Sequence, residues 1–129
     1  MIPSKNNLEL EERNKNAVKQ YYFALDQNDL EGVFRLFSKD IDYNRCGFRI
    51  KGMEAFKAFF LNERTMRGKH TVKTMIAEEN TVASRGTFRG KNAAGEEVYL
   101  QFAEFYFFDE EGLIFERSSY LAMGVDATK

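Results

Sequence analysis

The sequence predicts an α+β domain in which helices come first and sheet follows. In the first half of the chain apolar residues recur at helical spacing. From His70 onward they form four strand-like runs separated by short turn-forming stretches. No repeat, low-complexity tract or linker divides the 129 residues, so a single domain over residues 1–129 is expected. Its three helices pack on one side of a curved antiparallel sheet.

Each element has its own signal. Leu10, Ala17, Val18, Tyr21, Tyr22 and Leu25 mark one face of a long first helix that ends near Asp26-Gln27-Asn28. Asp29 caps a short second helix whose stripe is Leu30, Val33, Phe34 and Phe37. Lys39 to Arg49 reads as one strand bent near Gly47. Gly52 introduces a third helix with Met53, Phe56, Phe59 and Phe60 on one side, fading into a basic loop around Arg64, Arg67 and Lys69. The strands that follow are His70–Glu78, Thr81–Lys91, Glu96–Phe108 and Leu113–Met123. Between them, Glu79-Asn80, Asn92 to Gly95 and Asp109 to Gly112 are turns. The first few residues and Val125 to Lys129 are expected to be loose.

Composition narrows the function classes. Basic and acidic residues nearly balance, giving a formal net charge of −1, so no broad field draws nucleic acid or an anionic membrane. One cysteine, Cys46, excludes an internal disulfide. With one histidine as well, a metal site is not expected, and no residue points to a cofactor. The polar N-terminus lacks the apolar core of a leader, and no run reaches the ~20 apolar residues of a bilayer span. A soluble, cytoplasmic protein is the expectation. The 13 Phe and 6 Tyr are many for this length and fit a thick core or an apolar ligand site.

The strand around Glu104 is the most informative stretch. Side chains alternate, so Leu100, Phe102, Glu104, Tyr106 and Phe108 share one face while Ala103, Phe105 and Phe107 share the other. A carboxylate in an aromatic row must be paired, protonated or open to a water-filled cavity. Glu104 is therefore either a pocket acid or base with a raised pKa, or half of a buried ion pair with Arg45, Arg85 or Arg117.

Other candidates are weaker. Tyr21 or Tyr22 can present a phenol to a ligand oxygen, although inner-face tyrosines are commonly core. Tyr43, Phe48, Phe102, Tyr106 and Tyr120 read as lining. His70, at a strand start, can serve as a general base or stand beside Lys69 and Arg67 without a chemical role. Arg64, Arg67, Lys69, His70 and Lys73 form a basic cluster suited to a pocket mouth or a solvated rim. Cys46, beside Arg45, is an activated thiol if exposed and a small filler if buried.

The opening Tyr21-Tyr22-Phe23-Ala24-Leu25-Asp26-Gln27-Asn28-Asp29-Leu30-Glu31-Gly32, followed by Leu36-Phe37, resembles the nuclear transport factor 2-like superfamily. Its SnoaL-like polyketide-cyclase and ketosteroid-isomerase branches are the most similar. Ile50 to Phe56 and Phe107 to Ile114 extend the likeness, which spans roughly Lys15 to Leu121. The resemblance implies a cone-shaped curved antiparallel sheet with the three helices on its concave face. It also implies a small hydrophobic molecule as partner. By position, Tyr21 matches an oxyanion-binding tyrosine and Glu104 a protonated acid that donates to the same oxyanion. Arg45 stands where the isomerases keep their base and cannot accept a proton at neutral pH, which disfavours ketosteroid isomerisation itself. Neither epoxide-hydrolase nor scytalone-dehydratase chemistry finds its full set of groups.

Together these readings predict a binding protein with an apolar pocket and acid-base chemistry of isomerase or cyclase type on a hydrophobic carbonyl or enol ligand. Glu104, Tyr21 and His70 are its expected catalytic residues. Arg45, Tyr43, Phe48, Phe102 and Tyr106 are its expected ligand-binding residues. The alternative is a non-catalytic binding or assembly domain. Phe105 and Phe107, turned away from the helices, predict a homodimer through the outer sheet face.

Overall fold

The computed structural model describes residues 5–124 and Thr128. Helix α1, Lys5–Asp26, is followed by α2, Leu30–Phe34. A left-handed Asn28 (φ 57°) ends α1, and the Asp29 N–H reaches back to Ala24 O at 2.8 Å. The Asp29 carboxylate then accepts the Gly32 N–H at 3.0 Å, capping α2 as expected.

Next comes a hairpin rather than one bent strand. β1, Phe37–Arg45, turns at Cys46-Gly47 into β2, Phe48–Lys51. Both turn residues have positive φ (51° and 96°), the requirement of a tight two-residue hairpin turn. α3, Met53–Ala58, continues without interruption into a π-helical segment, Phe59–Glu63. Four long strands complete the chain: β3, Arg67–Glu78; β4, Thr81–Lys91; β5, Glu97–Phe108; and β6, Ile114–Ala122. β3 starts three residues before the expected position, so Arg67 and Lys69 lie in a strand and not in the basic loop. The expectation of loose first residues and of loose Val125 to Lys129 falls, Thr128 apart, outside the described residues.

The six strands form one sheet in the order β2-β1-β6-β5-β4-β3. β3 to β6 make an antiparallel meander, but β1 joins β6 in parallel, so the sheet is mixed. An extra residue on β3, between Val72 and Thr74, bulges that strand and adds to the curvature. Gly86 faces this point, where a Cβ would come within 2.0 Å of Thr71 O.

The helices cover one face of the sheet and the core lies between. Val18, Tyr21, Tyr22 and Leu25 of α1 are buried against it. Phe56 of α3 is buried among Phe34, Phe37 and Phe60, with ring centroids 4.6 to 6.2 Å away. β5 alternates as expected: Leu100, Phe102, Glu104, Tyr106 and Phe108 are buried. On the opposite face Phe105 is 39% and Tyr120 50% exposed, their ring centroids 6.2 Å apart. No helix among the described residues is long and apolar enough to cross a membrane.

Candidate active site

Strand register builds a polar cluster inside this aromatic core. Glu104 on β5 lies opposite Ser84 on β4 and Ser119 on β6. Two small neighbours leave room for the carboxylate and supply hydroxyls. Tyr106, two residues on, faces Arg117 of β6, and Arg117 in turn faces Tyr43 of β1. Tyr22 enters from α1.

Glu104 is 4% exposed and saturated with donors. Its Oε1 accepts the Tyr22 hydroxyl at 2.6 Å, with the Tyr106 hydroxyl at 3.2 Å. Its Oε2 accepts Arg117 Nη2 and Ser119 Oγ, both at 2.5 Å. The donors run in chains toward the anion. Arg45 Nη1 donates to the Tyr43 oxygen (3.1 Å), the Tyr43 hydroxyl meets Ser119 Oγ (3.0 Å), and Ser119 donates to Glu104. On the other side the Tyr106 hydroxyl lies 2.9 Å from the Tyr22 oxygen, and Ser84 Oγ lies 2.7 Å from it. Arg117 is enclosed by aromatic rings, its guanidinium 4.5 Å from the Tyr21 centroid and 4.6 Å from that of Tyr43.

The electrostatics follow. Burial pushes the Glu104 carboxyl upward as the largest single effect, but the Arg117 charge, the Ser119 and Tyr22 hydrogen bonds and the His70 ring together hold it below its ordinary value. Burial pulls Arg117 down, and the Glu104 charge more than offsets it. Burial also raises Tyr21, Tyr22 and Tyr106, so all three hydroxyls keep their protons at neutral pH. Of the arginines open at the sequence level, Arg117 is the one that pairs with Glu104. Glu104 is thus an anchored carboxylate, with no proton to donate at neutral pH, in place of the expected protonated donor.

A cavity of about 40 Å³ adjoins this cluster. Tyr21, His70, Arg45 and Arg64 give it polar edges, and Phe59, Phe60, Phe88 and Phe102 form much of its apolar wall. It has room for a few water molecules and is far smaller than the ~300 Å³ at which drug-sized pockets begin. The Tyr21 hydroxyl has no protein hydrogen-bond partner among the described residues, although the side chain is buried.

His70 is fixed by α1. Its Nδ1 lies 2.6 Å from Asp26 Oδ1, and its backbone N–H donates to Asp26 Oδ2 at 2.9 Å. Tyr22, Phe88 and Phe102 pack around the ring, with centroids 4.9 to 5.5 Å away. A carboxylate at Nδ1 selects the tautomer with its proton there, leaving the Nε2 lone pair for a ligand.

Of the expected site residues, the cavity gathers Glu104, Tyr21, His70, Arg45, Tyr43 and Phe102. Tyr106 belongs to the hydrogen-bond cluster behind the wall. Phe48 is elsewhere: β2 is an outer strand, and its ring is 79% exposed. Asp26 was legible only as a helix end, and Ser84 and Ser119 carried no signal until the strands were paired. Cys46 is exposed in its turn. Among the described residues no group of three or more His, Cys, Asp or Glu is placed to hold a metal ion.

A family model described as a SnoaL-like domain matches residues 18–117. No curated protein matches the chain. Solved structures do. A nuclear transport factor 2-like protein of unknown function from Burkholderia pseudomallei is 18% identical, with TM-score 0.76, over 86% of this chain and 92% of that one. An LEH-like epoxide hydrolase from Mycobacterium tuberculosis is 18% identical, with TM-score 0.76, over 87% and 84%. A second M. tuberculosis protein, in complex with estradiol-17β-hemisuccinate, is 19% identical, with TM-score 0.73, over 84% and 92%. At such identities the likeness shows the fold.

Proposed function

Because this chain belongs to the SnoaL-like domain family, we propose that it binds a small molecule in the cavity beside Tyr21 and His70 and performs acid-base chemistry there on a carbonyl or enol group. The carrying observation is the 2.6 Å contact between His70 Nδ1 and Asp26, on a ring that lines the cavity. The estradiol-17β-hemisuccinate complex of a structural neighbour supports small-molecule binding in this fold.

In this proposal His70 Nε2 removes a proton from the carbon next to a ligand carbonyl. The electron pair of that C–H bond forms a carbon–carbon double bond as the carbonyl π pair moves onto the oxygen, and Asp26 stabilises the imidazolium that forms. Tyr21 keeps its proton and donates a hydrogen bond to the developing oxyanion. Delivery of the proton from Nε2 to a different carbon of the enolate completes an isomerisation; when Nε2 first trades that proton with solvent, delivery to the original carbon completes an exchange. Glu104 does not enter the proton path; its pair with Arg117 fixes the wall that carries Tyr21 and Tyr43.

The test is hydrogen–deuterium exchange in D2O on a panel of enolisable ketones, followed by proton NMR. Protein-dependent exchange should fall ~100-fold or more in His70→Asn, the scale of a general base. Absence of exchange, or exchange indifferent to His70, contradicts the proposal.

A second reading is a non-catalytic homodimeric binding domain. The saturated hydrogen bonding of Glu104 favours it, as does the pair of exposed rings Phe105 and Tyr120 on the outer sheet face.

A further inference from the structure

Three arginines, Arg45, Arg64 and Arg117, line the cavity, and one carboxylate, Glu104, lines it with them. Glu104 is committed to Arg117. Among the described residues neither Arg45 nor Arg64 has a carboxylate within ion-pairing distance. Asp26 acts on Arg64 only at longer range and is itself bonded to His70. Arg45 gives one N–H to the Tyr43 oxygen and lies over the Phe59 ring, 5.2 Å from its centroid. Its other donors are unspent. Arg64 makes no side-chain hydrogen bond among the described residues, and it is half-buried at the end of the π-helical segment.

A half-buried guanidinium without a counterion is costly, and two facing one cavity repel each other. Indeed burial, with the charges of Arg67 and Arg45, pulls the Arg64 pKa down. The cost is recovered when an anion enters, because a guanidinium fork matches a carboxylate in shape and charge. The cavity volume limits the rest of the ligand to a small apolar body.

We infer that the ligand of this cavity is a small organic carboxylate, its carboxylate held between Arg45 and Arg64 and its apolar body against Phe59, Phe60 and Phe102. The inference rests on the cavity being the ligand site proposed above. It names the ligand's charge, which the acid-base proposal leaves open. The carbonyl or enol that reacts near Tyr21 and His70 then sits on a molecule steered by its acid group.

His70 is the sole histidine, so its ring protons report on the cavity by NMR without assignment of other residues. Acetate, benzoate and cyclohexanecarboxylate are titrated at fixed ionic strength, each against its primary amide. At least one acid should bind about tenfold or more tightly than its amide, the factor that charge-assisted hydrogen bonds supply. Arg64→Gln and Arg45→Gln should each abolish most of that preference while leaving the amide within about threefold. Arg49→Gln, on β2 and paired with Asp42 away from the cavity, should change neither. Unchanged urea midpoints show that the variants are folded. Equal binding of acid and amide overturns the inference while leaving the cavity as a ligand site. A preference that survives both cavity substitutions overturns it by placing the anion elsewhere. No response of His70 to any probe overturns both the inference and the proposed site.

Discussion

Glu104→Gln is the substitution with the most specific expectation. The amide is nearly the same shape, but the site offers four donors and no acceptor dedicated to it. If the amide oxygen takes the place of Oε1, it keeps Tyr22 and Tyr106. Its NH2 then faces Arg117 Nη2 and Ser119 Oγ at contacts that are now 2.5 Å long. Ser119 can rotate, whereas Arg117 cannot become an acceptor. The guanidinium, 3% exposed, is left charged and unpaired. Breaking a buried pair on one side costs about 3–5 kcal/mol, a large share of the ~5–15 kcal/mol that holds a domain of this size. Urea unfolding followed by far-ultraviolet circular dichroism should show that loss. Adding Arg117→Met removes the stranded charge, so the double variant should be more stable than Glu104→Gln alone. A loss below about 1 kcal/mol, or a double variant less stable than the single, would refute the description of Glu104 as the structural partner of Arg117.

Other expectations follow from the same structure. Glu104 titrates below its unfolded value, so its contribution to stability is fully present above about pH 4.3 and is lost as pH falls from there through the folded pKa. Urea midpoints should therefore drop more steeply with acid in the wild type than in Glu104→Gln; parallel curves would contradict the lowered pKa. At alkaline pH, nitrogen NMR should find the neutral His70 ring protonated at Nδ1, and Asp26→Ala should release that tautomer; a proton on Nε2 in the wild type would contradict the Asp26 contact. Gly86→Ala should cost about 2 kcal/mol or more, because its Cβ would meet Thr71 O at 2.0 Å, and an unchanged urea midpoint would show that the bulge yields freely. Light scattering should give a homodimer at micromolar concentration that Phe105→Asp or Tyr120→Asp converts to a folded monomer; a wild-type monomer would remove the outer face from the proposal.

The legible parts of the fold were those governed by local chemistry. Asp29 capped where a capping residue belongs, and β5 alternated as its residues dictated. Less legible was whatever depended on pairing across the sheet. The Cys46-Gly47 turn looked like a bend because Cys is not a typical left-handed residue, and the β1–β6 parallel pair joins segments with most of the chain between them. The site shows the same division. Counted back from the Asn92 to Gly95 turn, Lys91 would face Glu96 and Ser84 would face Ala103; the pairing of Lys91 with Glu97 moves the register by one and brings Ser84 opposite Glu104. Carrying the Phe108–Ile114 pair back without the irregular step beside it puts Ser118 opposite Glu104, where the structure has Ser119. Arg117 was one of three candidate partners for Glu104, and only strand register could separate them. His70 was visible as the sole histidine, but Asp26 is 44 positions away and read as the end of a helix.

A crystal structure of the protein soaked with benzoate and with small enolisable ketones tests the central claim most directly. Ligand density should lie between Tyr21, His70 and Arg45, with the Glu104, Arg117, Tyr22 and Ser119 contacts unchanged behind it. A ligand that displaces Arg117 from Glu104, or a cavity that stays shut while fragments bind elsewhere, would contradict it.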